Sequence, residues 1–149
     1  MKQYIKDYIL EQLDDNQGRT VYACDLASEL YNNDNMTGSI DCNRYESEQF
    51  LTEHKDEFVN IIKYWKIHGG ADFSNQLAID YFENPEKAHC NLVFTYVDAV
   101  VNLIMAKEYQ GRDIWDEQIE LDDAMIGWIK ENLDDAIDAG FDDMDAYNE

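Results

Sequence analysis

Residues 84–108, NPEKAHCNLVFTYVDAVVNLIMAKE, decide the fold. Asn84 suits a helix N-cap, Pro85 the first helical position, and Glu86 complements the helix dipole, so a helix begins here. Leu92, Val93, Tyr96, Val97, Val100, Val101, Leu103 and Ile104 then cover well over half of its circumference. A helix apolar over so much of its surface is packed by neighbours on several sides, which makes this one the centre of the molecule. Its most apolar run, residues 92–105, contains Thr95, Asp98 and Asn102 and reads as too short and too polar to span a bilayer.

Outward from this segment the apolar spacing stays mostly helical, and one proline and seven glycines leave few breakers. Tyr4, Ile5, Tyr8, Ile9 and Leu13 mark a first helix that stops near Asn16, Gln17 and Gly18. A short second helix is expected over about 23–31, with Leu26, Ala27 and Leu30 inward. Residues 32–41 (NNDNMTGSID) read as a polar loop, and a third helix follows over about 45–66. Phe50, Leu51, Phe58, Ile61, Ile62 and Trp65 fall in one arc of it, as does His54, which reads as a hydrogen-bonded core imidazole. Residues 114–121 alternate weakly, and Asp122 then caps a last helix reaching about Ala139. The expected fold is mainly α: a single-domain bundle of about five helices over 1–140, with a short β element near 114–121. An acidic C-terminal tail, 141–149, follows it.

Aromatic residues make up 13% of the chain, against a formal net charge of −22, which places that charge on a folded scaffold and not on a disordered one. It is concentrated: residues 113–149 hold fourteen carboxylates and one base, Lys130. In the last helix Met125, Ile126, Ile129, Leu133, Ala136 and Ile137 share one arc, while Asp123, Glu131, Asp134, Asp135 and Asp138 lie opposite. Like charges at that spacing repel, and carboxylates near a helix C-terminus oppose the dipole, so this face costs stability. Asp142, Asp143 and Asp145 extend it, with Phe141, Met144 and Tyr147 as candidate anchors. Such a field repels phosphate and attracts cationic surfaces. A row of ordered carboxylates can occupy the Lys- and Arg-lined groove that otherwise holds nucleic acid. The competing reading is that the acid serves solubility alone.

Other chemistry finds little footing. Asn33, Asn35, Thr37 and Gly38 match the early positions of a calcium loop, but the position of its bidentate Glu is Arg44. Cys24, Cys42 and Cys90 with His54, His68 and His89 show none of the short ligand pairs of a zinc site, so no metal or other cofactor is expected and the cysteines read as reduced thiols. His89 and Cys90 are adjacent and point about 100° apart on a helix, and no phosphate loop, nucleophile elbow or dinucleotide fingerprint is present. Lys63, Lys66 and His68 beside Trp65 form the only basic cluster, too small to bind nucleic acid directly. No secretory signal is visible, and a cytoplasmic location follows as an expectation.

YIKDYILEQLDDNQGRTVYACDLASELY (4–31), GSIDCNRY (38–45), ENPEKAHCNLVF (83–94) and the pair Trp115 and IELDD (119–123) resemble a family of small uncharacterised proteins of bacteriophages and integrated mobile elements. The resemblance covers roughly residues 4–133 in patches, and NQG-x-T-x-YACDLA is its most specific part. It carries over no catalytic residue. It implies an early or accessory protein in a bacterial cytoplasm, where small acidic phage proteins act as inhibitors of host nucleases, restriction enzymes or CRISPR effectors. Taken together, the expectation is a non-enzymatic acidic binding protein that mimics phosphate on a basic, normally nucleic-acid-binding host protein. The alternative is an accessory or structural protein, oligomeric, with the acid serving solubility.

Overall fold

The computed structural model describes residues 1–31 and 42–146. Among them the fold is mainly α, with seven α-helices and four very short strands. The polar loop 32–41, the calcium-like residues Asn33 to Gly38 within it, and Tyr147 lie outside the described residues.

By contacts the chain forms two compact units; of the described residues, the first holds 1–31 and 96–140, the second 42–95 and 141–146. In the first unit α1 (Lys2–Asp15) packs on α2 (Leu26–Tyr31), which a single 3-10 turn (Ala23–Asp25) precedes. Ile5, Ile9, Leu13, Leu26 and Leu30 are fully buried, as are Tyr96, Val97, Val100, Val101 and Ile104 from the second half of α6 (Pro85–Met105). That broad apolar girth is what the sequence of 84–108 requires. The helix starts where its proline allows, but the Asn84 side chain does not act as expected. Its amide donates to Asp80 Oδ1 at 3.1 Å, and its backbone carbonyl accepts from Ala88 N. By length and composition α6 is apolar enough to cross a membrane, and 72% of its most apolar window is buried inside the protein.

The β element expected near 114–121 is β4 (Gln118–Glu120), which pairs antiparallel with β1 (Thr20–Tyr22): Thr20 faces Glu120 and Val21 faces Ile119. Backbone bonds extend this pairing on both sides. Gly18 N donates to Leu121 O, Ala23 N to Glu117 O and Cys24 N to Trp115 O. NQGRTVYAC and the Trp115–IELDD patch are thus two halves of one zipper. Arg19 braces it, donating to Asn16 Oδ1 at 2.6 Å and to Glu29 Oε2 at 2.9 Å. A second ribbon joins β2 (Glu108–Tyr109) to β3 (Arg112–Asp113) through Gln110 and Gly111, both at positive φ as a two-residue hairpin turn demands.

The second unit departs from the expected single helix over 45–66. It contains α3 (Arg44–Glu53) and α4 (Lys55–His68), broken at His54, whose φ of −114° and ψ of 34° are not helical. Its ring is half-buried at the break, 4.5 Å from Phe50, and not a core imidazole; the buried one is His89. A helix that the periodicity did not announce, α5 (Ala71–Glu83), packs on α4. Gly69 and Gly70 make the turn between them. A Cβ on Gly69 would stand 2.6 Å from Trp65 Cε3, and Gly70 has φ +91°.

Helix α7 (Asp123–Asp145) starts as expected, with Asp122 Oδ1 accepting from Met125 N at 2.8 Å. It continues well past Ala139 to Asp145. Residues 141–145, expected as tail, are its last turn, and Phe141 and Met144 are buried (5% and 2% exposed), so neither is available as an anchor for a partner.

Candidate functional site

The six apolar residues assigned to the inner face of α7, Met125, Ile126, Ile129, Leu133, Ala136 and Ile137, are all buried. Asp123, Glu131, Asp134, Asp135 and Asp138 are all exposed, on the part of α7 that belongs to the first unit. Asp142, Asp143 and Asp145 are exposed on its last turn, in the second unit. Amphipathic periodicity alone accounts for this: burial of the apolar arc turns the carboxylates to solvent.

From Asp123 to Asp138 the helix axis advances about 22 Å. Over that length one strand of B-DNA places about six or seven phosphates and the duplex about thirteen. Five carboxylates therefore approach the charge of a single strand and fall well short of a duplex. Two of them are already paired with lysines. Asp138 Oδ1 is 3.0 Å from Lys2 Nζ and Asp134 Oδ1 is 2.8 Å from Lys6 Nζ, both from α1. The Asp134 hydrogen bond and charge raise the pKa of Lys6 above its ordinary value. Asp123 accepts from Gln17 at 2.7 Å, and Asp145 from Asn60 at 3.1 Å. Glu131, Asp135, Asp142 and Asp143 have no ion pair or side-chain hydrogen bond among the described residues. Lys2 is exposed and Lys6 half-buried, both against exposed carboxylates, and solvent-screened pairs of that kind contribute about 0–1 kcal/mol. Lys2 and Lys6 lie more than a hundred residues from their partners, and nothing in the local sequence signals the contact.

Two other groupings come together in space. Ser47 Oγ lies 3.2 Å from His89 Nδ1, the distance of a nucleophile from its base, and the imidazole stacks on Phe50 at 3.9 Å. Ser47 and His89 are 0% and 1% exposed, however, which leaves no path for a substrate. Burial, with a smaller contribution from His54, lowers the His89 pKa to about 4, so the ring is neutral in the folded chain. Trp65, expected beside the basic cluster, donates its indole N–H to Thr95 Oγ1 at 2.9 Å and packs edge-on against Phe73. It belongs to the packing of α4 and is no platform for a stacked base. Among the described residues no group of three or more His, Cys, Asp or Glu is placed to hold a metal ion, and none of the three cysteines is in a disulfide. Compared with known proteins, the chain matches no family model, no curated protein and no solved structure.

Proposed function

We propose that the chain is a non-enzymatic binding protein of bacteriophage or mobile-element origin, acting in a bacterial cytoplasm. Its α7 carboxylates take the place of nucleic-acid phosphates on a basic surface of a host defence or regulatory protein. The observation that supports this best is the exposure of all eight carboxylates Asp123, Glu131, Asp134, Asp135, Asp138, Asp142, Asp143 and Asp145 on a helix whose opposite face is buried. A folded helix holds its charges at fixed spacing, which a disordered acidic tail does not, and this pre-organisation lowers the cost of binding. The count along the first unit's stretch favours imitation of one strand, so the expected partner surface is a groove for single-stranded or one-edge contact.

The test is capture of partners from bacterial lysate on the immobilised chain, with elution by single-stranded or duplex DNA. A partner released by DNA, released more readily by the single strand, and lost with Glu131→Gln, Asp135→Asn, Asp142→Asn and Asp143→Asn combined supports the reading. A partner indifferent to DNA, or one whose bound surface is not basic, overturns it and leaves the acid as a solubility device.

A further inference from the structure

We infer that the groove between α4 and α5 of the second unit is a docking site for an amphipathic acidic helix of another protein. Its walls are Phe58, Val59, Ile62, Ala78, Tyr81 and Phe82, with Lys55 at one end, around a shallow hollow of about 150 Å³. Phe82 is 76% exposed and Ile79, beside it on α5, 46%. At 100° per residue, Ala71, Asn75, Ala78, Ile79 and Phe82 make one solvent-facing arc of α5 that contains no charge. A surface helix ordinarily turns its apolar arc inward; here Ser74 and Asp80 share the buried face with Leu77 while Ile79 and Phe82 face out. That inversion is what a helix covered by a partner requires.

Charge identifies the occupant. The chain has eleven lysines and arginines, all among the described residues. Lys2, Lys6, Arg19, Arg44, Lys87, Arg112 and Lys130 stand within 4.0 Å of a carboxylate, and Lys107 donates to Asn132. The three that remain, Lys55, Lys63 and Lys66, are all exposed and all on α4. In a chain with thirty-three acids, the only lysines and arginines with no acidic or amide partner among the described residues stand beside its apolar groove. Lys55 and Lys66 project along the same side of α4 as Val59 and Ile62, about 16 Å apart. The acids of α5 that are exposed, Asp72 and Glu83, project about 80–140° from Ala78 and Phe82, beyond Ile79 at the edge of the arc. At physiological ionic strength the screening length is about 8 Å. Lys55 and Lys66 flank the groove, whereas Asp56 of α4 projects about 120° from Ile62, and Asn60, which holds Asp145, about 160° from it, so the lysines set the field at the groove.

A helix with apolar residues at i, i+4 and i+7 fills such a groove, and carboxylates about three turns apart on its flank reach Lys55 and Lys66. A second copy fits poorly. A two-fold contact through this patch sets lysines against lysines, and the exposed face of α7 offers charge without apolar side chains to cover the floor.

Fluorescence polarisation of a labelled synthetic helix bearing Leu and Phe on one face and Glu on both flanks tests this, beside a twin bearing Lys in place of Glu. The acidic helix should bind and weaken with salt. Phe82→Glu, at an exposed position, should abolish binding with the circular dichroism and thermal midpoint unchanged. Reversal at Lys55→Glu, Lys63→Glu and Lys66→Glu should weaken the acidic helix by on the order of tenfold or more and switch preference to the Lys twin. Equal binding of the two helices, or binding of neither, overturns the inference. So does a sedimentation dimer that Phe82→Glu converts to monomer, because a second copy then occupies the groove. None of these variants touches an α7 carboxylate, so failure here leaves the α7 proposal standing, and the reverse.

Discussion

Burial holds the His89 imidazole at about 4, and the nearby His54 adds to the shift. The unfolded chain protonates this ring near 6.5, whereas the folded chain does so only near 4. Above that window neither state binds the proton and the fold has its full stability. Inside it only the unfolded state takes the proton up, so stability falls as pH drops, by at most about 1.4 kcal/mol per pH unit for one proton. Asp98 works the other way. Its burial raises the carboxyl pKa, so the folded state holds that proton longer and gains stability as pH falls. Comparison of urea midpoints between pH 7 and pH 5 should therefore give a steeper loss for the parent chain than for His89→Asn; parallel slopes would mean that His89 contributes nothing. A fully buried residue of the first unit allows a blunter check. Val97→Asp places an unpaired charge at a position with 0% exposure and should destabilise by about 3 kcal/mol or more, visible as lost helicity or a collapsed melting transition.

Helices with a continuous buried arc were legible, and those without were not. α1 and α7 follow their apolar spacing, and α6 begins at its proline. The apolar spacing does not announce α5, because Phe73, Ile79 and Phe82 face outward while Ser74, Leu77 and Asp80 are buried, which scatters the apolar signal around the helix. The break at His54 carries neither glycine nor proline, so nothing local separates α3 from α4. β1 spans three residues, too few for alternation to register, and its partner is about a hundred positions away. The two interior glycines of α7 give a test at this scale. A Cβ on Gly127 meets nothing within 4 Å, so Gly127→Ala should stabilise by about 0.5–1 kcal/mol through helix propensity. A Cβ on Gly140 would stand 3.2 Å from Val100 Cγ2, where α7 lies close on α6. Gly140→Ala should accordingly give less than Gly127→Ala, or a net loss; equal gains in thermal midpoint would contradict that close approach.

Across the molecule, where α7 ends decides which carboxylates are costly. The exposure of the acidic face was readable from the sequence, because a 3.6-residue period fixes which side turns to solvent. Its energetics were not. An end near Ala139 would place Asp134, Asp135 and Asp138 against the negative pole of the dipole, but the helix runs to Asp145 and moves that pole to Asp142, Asp143 and Asp145. Asp134 and Asp138 instead gain Lys6 and Lys2, so Asp134→Asn with Asp138→Asn exchanges two weak ion pairs for relief of repulsion and should leave the thermal midpoint nearly unchanged. Asp142→Asn with Asp143→Asn removes unpaired charge from the unfavourable pole and should raise stability by about 0.5 kcal/mol, as a higher melting temperature at low salt that converges with the parent at high salt. The same substitutions act oppositely on binding. Steering by a charged face governs association more than dissociation, so neutralising Glu131, Asp135, Asp142 and Asp143 should slow association with a captured basic partner and flatten its salt dependence. A chain that becomes more stable while binding more slowly is the signature of charge retained for a partner. Slower dissociation, or rates indifferent to salt in both chains, would instead place binding off α7.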